Sequence, residues 1–171
     1  CKFSNPQEGI IGIVKEPLID QWEDMEDLNP PESILDLDRE RINDFCHNTD
    51  DFVLQGTVVR PFERLQFIRT MEKALTDLME EPPELFELIK RIHSLYCREI
   101  EAWAQTDIDG ICLMDDWGTQ QGLIVNPDTF RSIFLPLYKD YAEIGRAHEK
   151  YVFMHSDGYI SDVIQDLIES G

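Results

Sequence analysis

Two short apolar runs dominate the hydrophobic pattern of the chain, at residues 110–114 and 151–154. Each predicts a buried strand, because four or five consecutive apolar side chains fit a strand that is covered on both faces. The segment between them has helical spacing, so the two strands are expected to be parallel. Parallel strands bring their carboxyl ends to one edge of a sheet, where α/β folds bind ligands. Chemistry at these two strand ends is therefore expected to converge.

The rest of the pattern predicts further strands and helices in alternation. A strand over 9–14 is expected to pair with residues 1–4 as a hairpin, and an acidic loop with one helical turn follows over 16–31. A strand is predicted over 51–58, and helices over 32–48, 61–79, 84–103, from Asn126 onward with a kink at Pro136, and around 163–168.

This order predicts an α/β fold with a mainly parallel sheet. An eight-stranded (β/α)8 barrel, a TIM barrel, needs about 250 residues, so three parallel strands and a hairpin form an open sheet or part of a barrel. We expect one domain over 1–171, with a hairpin and acidic linker over 1–31 and βα units over 32–171.

Composition narrows the class of partner. The chain carries 35 acidic and 15 basic residues, a formal charge of −20, which repels nucleic acid and anionic membranes. Four widely spaced cysteines without a C-x-x-C pair favour reduced thiols, and no stretch has the length and apolar character of a membrane span. We therefore expect a cytoplasmic protein that acts on a small molecule.

The residues after the first strand are Asp115, Asp116 and Trp117. Adjacent strand residues point to opposite faces, so one of the two aspartates is expected in a pocket, with Trp117 as a wall. A carboxylate there could bind metal, accept a proton or hold a cationic group. Alternatively, both aspartates could cap nearby backbone N–H groups.

His155 and Asp157 follow the second strand with one residue between them, so both can face the same side. Such a pair could supply two metal ligands, or a histidine that a carboxylate orients for acid–base chemistry. Capping by Asp157 is the structural alternative. Arg60 follows the strand over 51–58 and could bind a substrate carboxylate, whereas no P-loop or G-x-G-x-x-G pattern supports nucleotide binding.

Several segments of the chain form a further pattern, namely DDWGTQ at 115–120, NPDTFR at 126–131 with FLP at 134–136, and MHSDG at 154–158. Together they resemble the uroporphyrinogen decarboxylase superfamily. Residues 9–24 look like the hairpin and acidic linker of the same family. The resemblance implies a TIM barrel longer than this chain, with strands before Cys1 and after Gly171, so the chain is expected to be a fragment.

The resemblance implies one of two chemistries. Decarboxylases of this family act on uroporphyrinogen without a cofactor, and their catalytic Asp and arginines would precede Cys1. The methyltransferase-like branch moves methyl groups between a corrinoid and a thiol, using zinc bound by a His-x-Cys pair and a distant Cys. His155 and Asp157 fall at the His-x-Cys position, which favours this second branch, with a third ligand expected beyond Gly171.

Our first hypothesis is therefore a methyltransferase-like enzyme with zinc and a corrinoid-carrying partner protein. In it Asp116 and His155 are catalytic, His155 and Asp157 bind the metal, and the substrate contacts are Asp115, Trp117 and Arg60. A cofactor-free uroporphyrinogen decarboxylase of porphyrin biosynthesis, which is a lyase, is the second hypothesis. The third is a non-catalytic homologue that binds a ligand or a corrinoid protein. A homodimer is compatible with all three.

Overall fold

The computed structural model describes residues 2–4 and 13–171. Its strands are β1 (Lys2–Ser4), β2 (Ile13–Glu16), β3 (Leu54–Gly56), β4 (Gly110–Met114) and β5 (Tyr151–His155). Its helices are α1 (Arg39–His47), α2 (Pro61–Arg69), α3 (Met71–Glu80), α4 (Pro83–Ala104), α5 (Pro127–Thr129), α6 (Leu135–Ala147) and α7 (Ile164–Ser170). Two 3-10 helices, Trp22–Asp27 and Glu32–Leu35, and a π-helical segment, Phe130–Phe134, complete the described elements.

The strands form two separate sheets. β1 and β2 pair antiparallel, with Phe3 opposite Val14, which confirms the predicted hairpin for these residues; the predicted strand positions 9–12 lie outside the described residues. β3, β4 and β5 form a parallel sheet in that order, with Met114 opposite His155 at its carboxyl edge. Strands therefore alternate with helices as predicted, and both site-bearing strands end at the same edge.

Helices cover one face of the parallel sheet. Ile111 and Leu113 of β4 are buried on that face, in the core that helices α2, α4 and α6 complete. The opposite face carries Tyr151 and Phe153, which are 66% and 44% exposed, so the prediction of strands covered on both faces is wrong for β5. On that face the Phe52 ring lies against Tyr151 and Phe153, and burial along β5 alternates between exposed and intermediate residues.

Local side-chain chemistry divides two of the predicted helices. The helix predicted over 32–48 becomes the 3-10 helix Glu32–Leu35 and α1, which Asp38 begins by accepting a hydrogen bond from the backbone N–H of Arg41. The helix predicted over 61–79 divides at Thr70, whose backbone has a positive φ of 85° and whose hydroxyl caps α3. These breaks depend on caps that hydrophobic periodicity does not report.

Proline and asparagine act as predicted in the segment after β4. The Asn126 side chain accepts a hydrogen bond from the backbone N–H of Asp128 at 2.8 Å, so it caps α5. Pro136 lies at the second position of α6, directly after the π-helical segment, because its ring lacks the N–H that a continuous helix would need there. In the described part of the chain, no helix is both long and apolar enough to span a bilayer.

Candidate functional site

Asp116, His155 and Asp157 come together at the carboxyl edge of the parallel sheet. One ligand atom from each residue can be chosen so that all three lie within 4.8 Å of one another. His155 Nε2 lies 3.5 Å from Asp157 Oδ1 and 3.9 Å from Asp116 Oδ1. The His155 and Asp157 side chains are 54% and 78% exposed, so an ion held here would keep coordination positions open to solvent.

The loops after β4 and β5 hold this cluster through backbone contacts. The backbone N–H of Asp115 donates to the carbonyl oxygen of His155 at 3.0 Å, and that of Gly118 donates to the carbonyl oxygen of Asp157 at 3.2 Å. Asp116 Oδ1 accepts from the backbone N–H of Asp157 at 2.8 Å, which fixes this carboxylate against the second loop. The two strand ends are thus joined beyond the last residues of β4 and β5.

Asp115 faces the protein interior, opposite to Asp116. Its carboxylate is fully buried and accepts hydrogen bonds from the backbone N–H groups of Phe62 and Glu63, at 2.9 and 2.8 Å, and from the hydroxyl of Tyr138 at 2.7 Å. Burial raises the pKa of Asp115 to about 7, although these three donors act in the opposite direction. Its position is that of a cap for α2, which argues against the predicted contact with substrate.

Trp117 is also buried. Its indole ring stacks on Phe62 with the ring centroids 4.3 Å apart, and its Nε1–H donates to the hydroxyl of Tyr138 at 2.8 Å. Phe130 and Phe134 meet the indole edge-on, so aromatic rings surround it. The predicted role of Trp117 as a pocket wall is therefore not supported by its placement, which is that of a core residue beneath the site.

A cleft of about 790 Å³ adjoins the cluster and is lined in part by Asp116. Its other walls come from β2, the start and end of α2, α3 and the loop after β4: Val14, Lys15, Glu63, Gln66, Phe67, Thr70, Met71, Glu72, Leu75 and Ile124. The cleft has apolar walls with charged groups at a few positions, which is the usual character of a small-molecule site. Asp116 is thus shared between the cleft and the cluster.

Glu63 is a site residue that sequence reasoning missed. It lines the cleft, and burial raises the pKa of its carboxyl group, with the Asp116 charge also acting upward and the Arg60 guanidinium acting downward. Nothing in the local sequence marks it, because its partners are brought close by the contact between α2 and the end of β4. The hydrogen bond from its backbone N–H to Asp115 spans 52 residues of sequence.

Arg60 lies at the end of the segment that follows β3 and precedes α2. Its Nη1 is 3.5 Å from Glu63 Oε2, and its side chain is 20% exposed. Its Nε is buried, and within the described part of the chain it has no hydrogen-bond partner. Arg60 therefore borders the acidic group at the cleft through Glu63, while substrate binding by Arg60 stays a prediction.

Comparisons with known proteins show the family to which the chain belongs. The family model described as uroporphyrinogen decarboxylase (URO-D) matches residues 1–171. A methyltransferase from Methanosarcina mazei has a similar solved structure, with a TM-score of 0.62 at 15% sequence identity; the match covers 81% of this chain and 39% of that one. No curated protein matches the sequence significantly.

The structural match shows the fold alone, which is a partial TIM barrel with parallel strands, alternating helices and an N-terminal hairpin. The chain spans about two fifths of the length of the methyltransferase that it matches, which fits a fragment. The family model covers the whole chain, including both loops that carry the cluster. The chain therefore belongs to the uroporphyrinogen decarboxylase family.

Proposed function

We propose that the chain is part of a metal-dependent enzyme of the methyltransferase-like branch of this family. Asp116, His155 and Asp157 would hold one divalent cation at the carboxyl edge of the sheet. The observation that carries this proposal is the convergence of three ligand atoms within 4.8 Å of one another, from the ends of two adjacent parallel strands. The structural likeness to a methyltransferase supports the choice of branch.

The residues present fit a divalent cation. An imidazole and two carboxylates are common ligands, and the two negative charges balance those of the ion. Asp116 is already oriented by the backbone N–H of Asp157, so part of the ligand geometry exists before an ion binds. A bound ion would act as a Lewis acid that polarises a ligand atom of the substrate.

The cleft beside the cluster is the proposed substrate site. Asp116 reaches both, so a molecule in the cleft could place one polar atom next to the ion. Phe67 and Met71 offer apolar walls for the body of the substrate, and Glu63 is placed to accept or hold a proton beside Asp116. Methyl transfer between a corrinoid, carried by a partner protein, and a thiol or related acceptor is the reaction that we propose.

Charge argues against uroporphyrinogen decarboxylation as the first choice. The cleft carries three carboxylates, Glu63, Glu72 and Asp116, and its one basic lining residue is Lys15. A tetrapyrrole with eight carboxylates would meet repulsion from this surface and from the net charge of −20. A non-catalytic homologue would use the same cleft for binding alone.

Metal binding tests the proposal directly. The purified protein, freed of metal with a chelator, should take up one equivalent of a divalent cation in calorimetric titration and elemental analysis. His155→Ala should weaken that affinity by about tenfold or more, because it removes a ligand. His148→Ala is the matched control, since His148 pairs with Glu101 away from the cluster and should bind metal like the wild type. If the wild type takes up no metal, the proposal is wrong.

Turnover then separates the chemistries. The metal-loaded protein should demethylate methylcobalamin in the presence of an acceptor, and His155→Ala should not. Formation of coproporphyrinogen from uroporphyrinogen without metal would instead support the decarboxylase. Ligand binding without either reaction would support the non-catalytic homologue, and both of these results would overturn methyl transfer.

A further inference from the structure

A second pocket lies between helices α2 and α4 and the segment 18–34 that packs over them, which we call the cover segment. Its volume is about 290 Å³, and among the described residues it shares no lining residue with the cleft beside the cluster. α2 separates the two spaces, because Glu63 and Gln66 line the cleft whereas Arg64 and Ile68 line the pocket. The pocket is therefore a site in its own right.

The cover segment is attached to both helices by hydrogen bonds. The backbone N–H of Leu18 donates to the carbonyl oxygen of Ile68 on α2 at 3.0 Å. Nη1 of Arg91 on α4 donates to the carbonyl oxygen of Met25, also at 3.0 Å. The pocket thus has its walls and its cover in place without a ligand, as most small-molecule sites do.

The lining of the pocket is apolar and carries positive charge. Two arginines, Arg64 and Arg91, line it, and within the described part of the chain no aspartate or glutamate does. This local charge is opposite to the net charge of −20. Most of the remaining wall is aliphatic, including Leu28, Ile34, Ile92 and Leu95. Such a lining suits a molecule that has an apolar body and one negative group.

Arg64 and Tyr96 form the polar end of the pocket. Nε of Arg64 donates to the Tyr96 hydroxyl at 2.9 Å, which uses one of the five donors of the guanidinium. Because the Tyr96 oxygen accepts this bond, its own proton is available to a further acceptor, and burial keeps that proton in place by raising the pKa of Tyr96. Arg91 is already paired with Glu87 at 3.0 Å, so Arg64 is the better placed of the two arginines to bind an anion.

We propose that this pocket binds a small organic carboxylate, with its carboxylate at Arg64 and Tyr96 and its apolar body beneath the cover segment. The proposal goes beyond methyl transfer and does not depend on the metal site. A guanidinium and a hydroxyl donor together match the two oxygens of a carboxylate, and the charge strengthens both hydrogen bonds. The volume is at the small end of the range for ligand pockets, so the ligand is a short aliphatic or single-ring acid.

Calorimetric titration of the metal-free protein at pH 7 tests this proposal with hexanoate, 1-hexanol and hexylamine, which differ only in the polar group. Hexanoate should bind about tenfold or more tightly than hexanol, because its bonds to Arg64 are charge-assisted, and hexylamine should bind more weakly than either. Acetate, which lacks the apolar body, should bind at least tenfold more weakly than hexanoate. His155→Ala should bind hexanoate like the wild type, since His155 does not line the pocket.

Substitutions locate the site. Arg64→Met keeps the aliphatic stem and should weaken hexanoate binding by about tenfold while hexanol binding stays unchanged, which also shows that the pocket is still folded. Arg131→Met is the matched control, because Arg131 pairs with Asp166 outside the pocket and should leave both affinities unchanged. Ile34→Trp should abolish binding of both compounds by filling the pocket from the cover segment. Equal affinities of the wild type for hexanoate and hexanol, or unchanged hexanoate binding in Arg64→Met or Ile34→Trp, would overturn the proposal.

Discussion

Gly118 and Gly158 approach each other so closely that neither position has space for a side chain. A β-carbon on Gly118 would lie 2.5 Å from the backbone nitrogen of Tyr159 and 2.6 Å from the carbonyl carbon of Gly158. A β-carbon on Gly158 would in turn overlap the backbone of Gly118, and Gly158 has a φ of +80°. This contact holds the loop that carries Asp116 against the loop that carries Asp157, so the two glycines help to set the geometry of the cluster.

Gly118→Ala is expected to destabilise the protein by about 2 kcal/mol or more, because backbone atoms would have to move to admit the methyl group. Gly158→Ala should cost at least as much, since its left-handed backbone adds strain. Urea unfolding followed by circular dichroism measures both. Gly122→Ala is the matched control in the same loop, where nothing lies within 4 Å of the added carbon, and it should change stability little. Equal effects for Gly118→Ala and Gly122→Ala would contradict this account.

Asp115→Asn should destabilise the protein by about 2–3 kcal/mol. The carboxylate now accepts a hydrogen bond from a backbone N–H at each of its oxygens, and in the variant the amide NH₂, itself a donor, would face one of those N–H groups. Tyr138→Phe should cost less, about 1–2 kcal/mol, since it leaves both backbone contacts of Asp115 intact. Thermal and urea unfolding of metal-free protein give both values. Asp116→Asn, at its half-buried neighbour, keeps an acceptor for the Asp157 N–H and should stay within about 0.5 kcal/mol of the wild type. A larger loss for Asp116→Asn than for Asp115→Asn would reverse the assigned roles.

The contribution of Glu99 to the free energy of unfolding is expected to fall as the pH rises. Its side chain is buried, one oxygen accepts from the backbone N–H of Val58, and the other has no hydrogen-bond partner among the described residues. Burial raises its pKa above the ordinary value of 4.5, while Val58, Arg64 and Arg60 oppose the shift. Its contribution is therefore complete below pH 4.5 and is lost as the pH rises through the higher folded-state pKa.

Glu99→Gln should accordingly flatten the fall in unfolding free energy above pH 4.5, which urea titrations at a series of pH values can measure. Glu87→Gln is the control on the same helix. Glu87 is exposed and pairs with Arg91, so this change should leave the slope as in the wild type. If Glu99→Gln left the pH profile unchanged, the burial of this carboxyl group would have no energetic effect.

Cys97 is expected to react slowly with thiol reagents. Burial raises its pKa from 9.0 to about 11, with Asp140 acting in the same direction. Because of this raised pKa, its thiolate fraction at pH 8 should be about 100-fold lower than that of an ordinary cysteine. The reaction rate should fall with it, since the thiolate is the reactive form. Alkylation with iodoacetamide, resolved by peptide mass spectrometry, measures the rate, and Cys112 serves as a partly exposed reference. The difference should vanish in urea; a fast reaction of native Cys97 would contradict the prediction.

Much of this fold follows from hydrophobic periodicity. The runs at 110–114 and 151–154 correspond to β4 and β5, and their parallel pairing brings the candidate residues to one edge. Alternation also predicts that Asp115 and Asp116 face opposite sides, which their burial confirms. The pattern could not tell which of them faces inward, because that depends on α2 lying over the end of β4.

Other features depend on contacts between distant segments. Glu63 enters the site through hydrogen bonds between α2 and the end of β4. Trp117 looks like a pocket residue in sequence, yet Phe62 and Tyr138 enclose it from elements before and after it. Thr70 lies between two helices with a positive φ, and no proline or glycine nearby in the sequence indicates this break. Such features require the tertiary arrangement, whereas strand periodicity is local.

The position of Asp157 separates the contacts of its backbone from those of its side chain. Backbone atoms at this position join the two loops, whereas its exposed side chain is the part that would bind the proposed metal ion, so the two can change independently. A single substitution could therefore exchange one reactivity for another while the protein still folded. Substitutions at position 157 are therefore expected to change the chemistry of the cluster more than the stability of the loops that carry it.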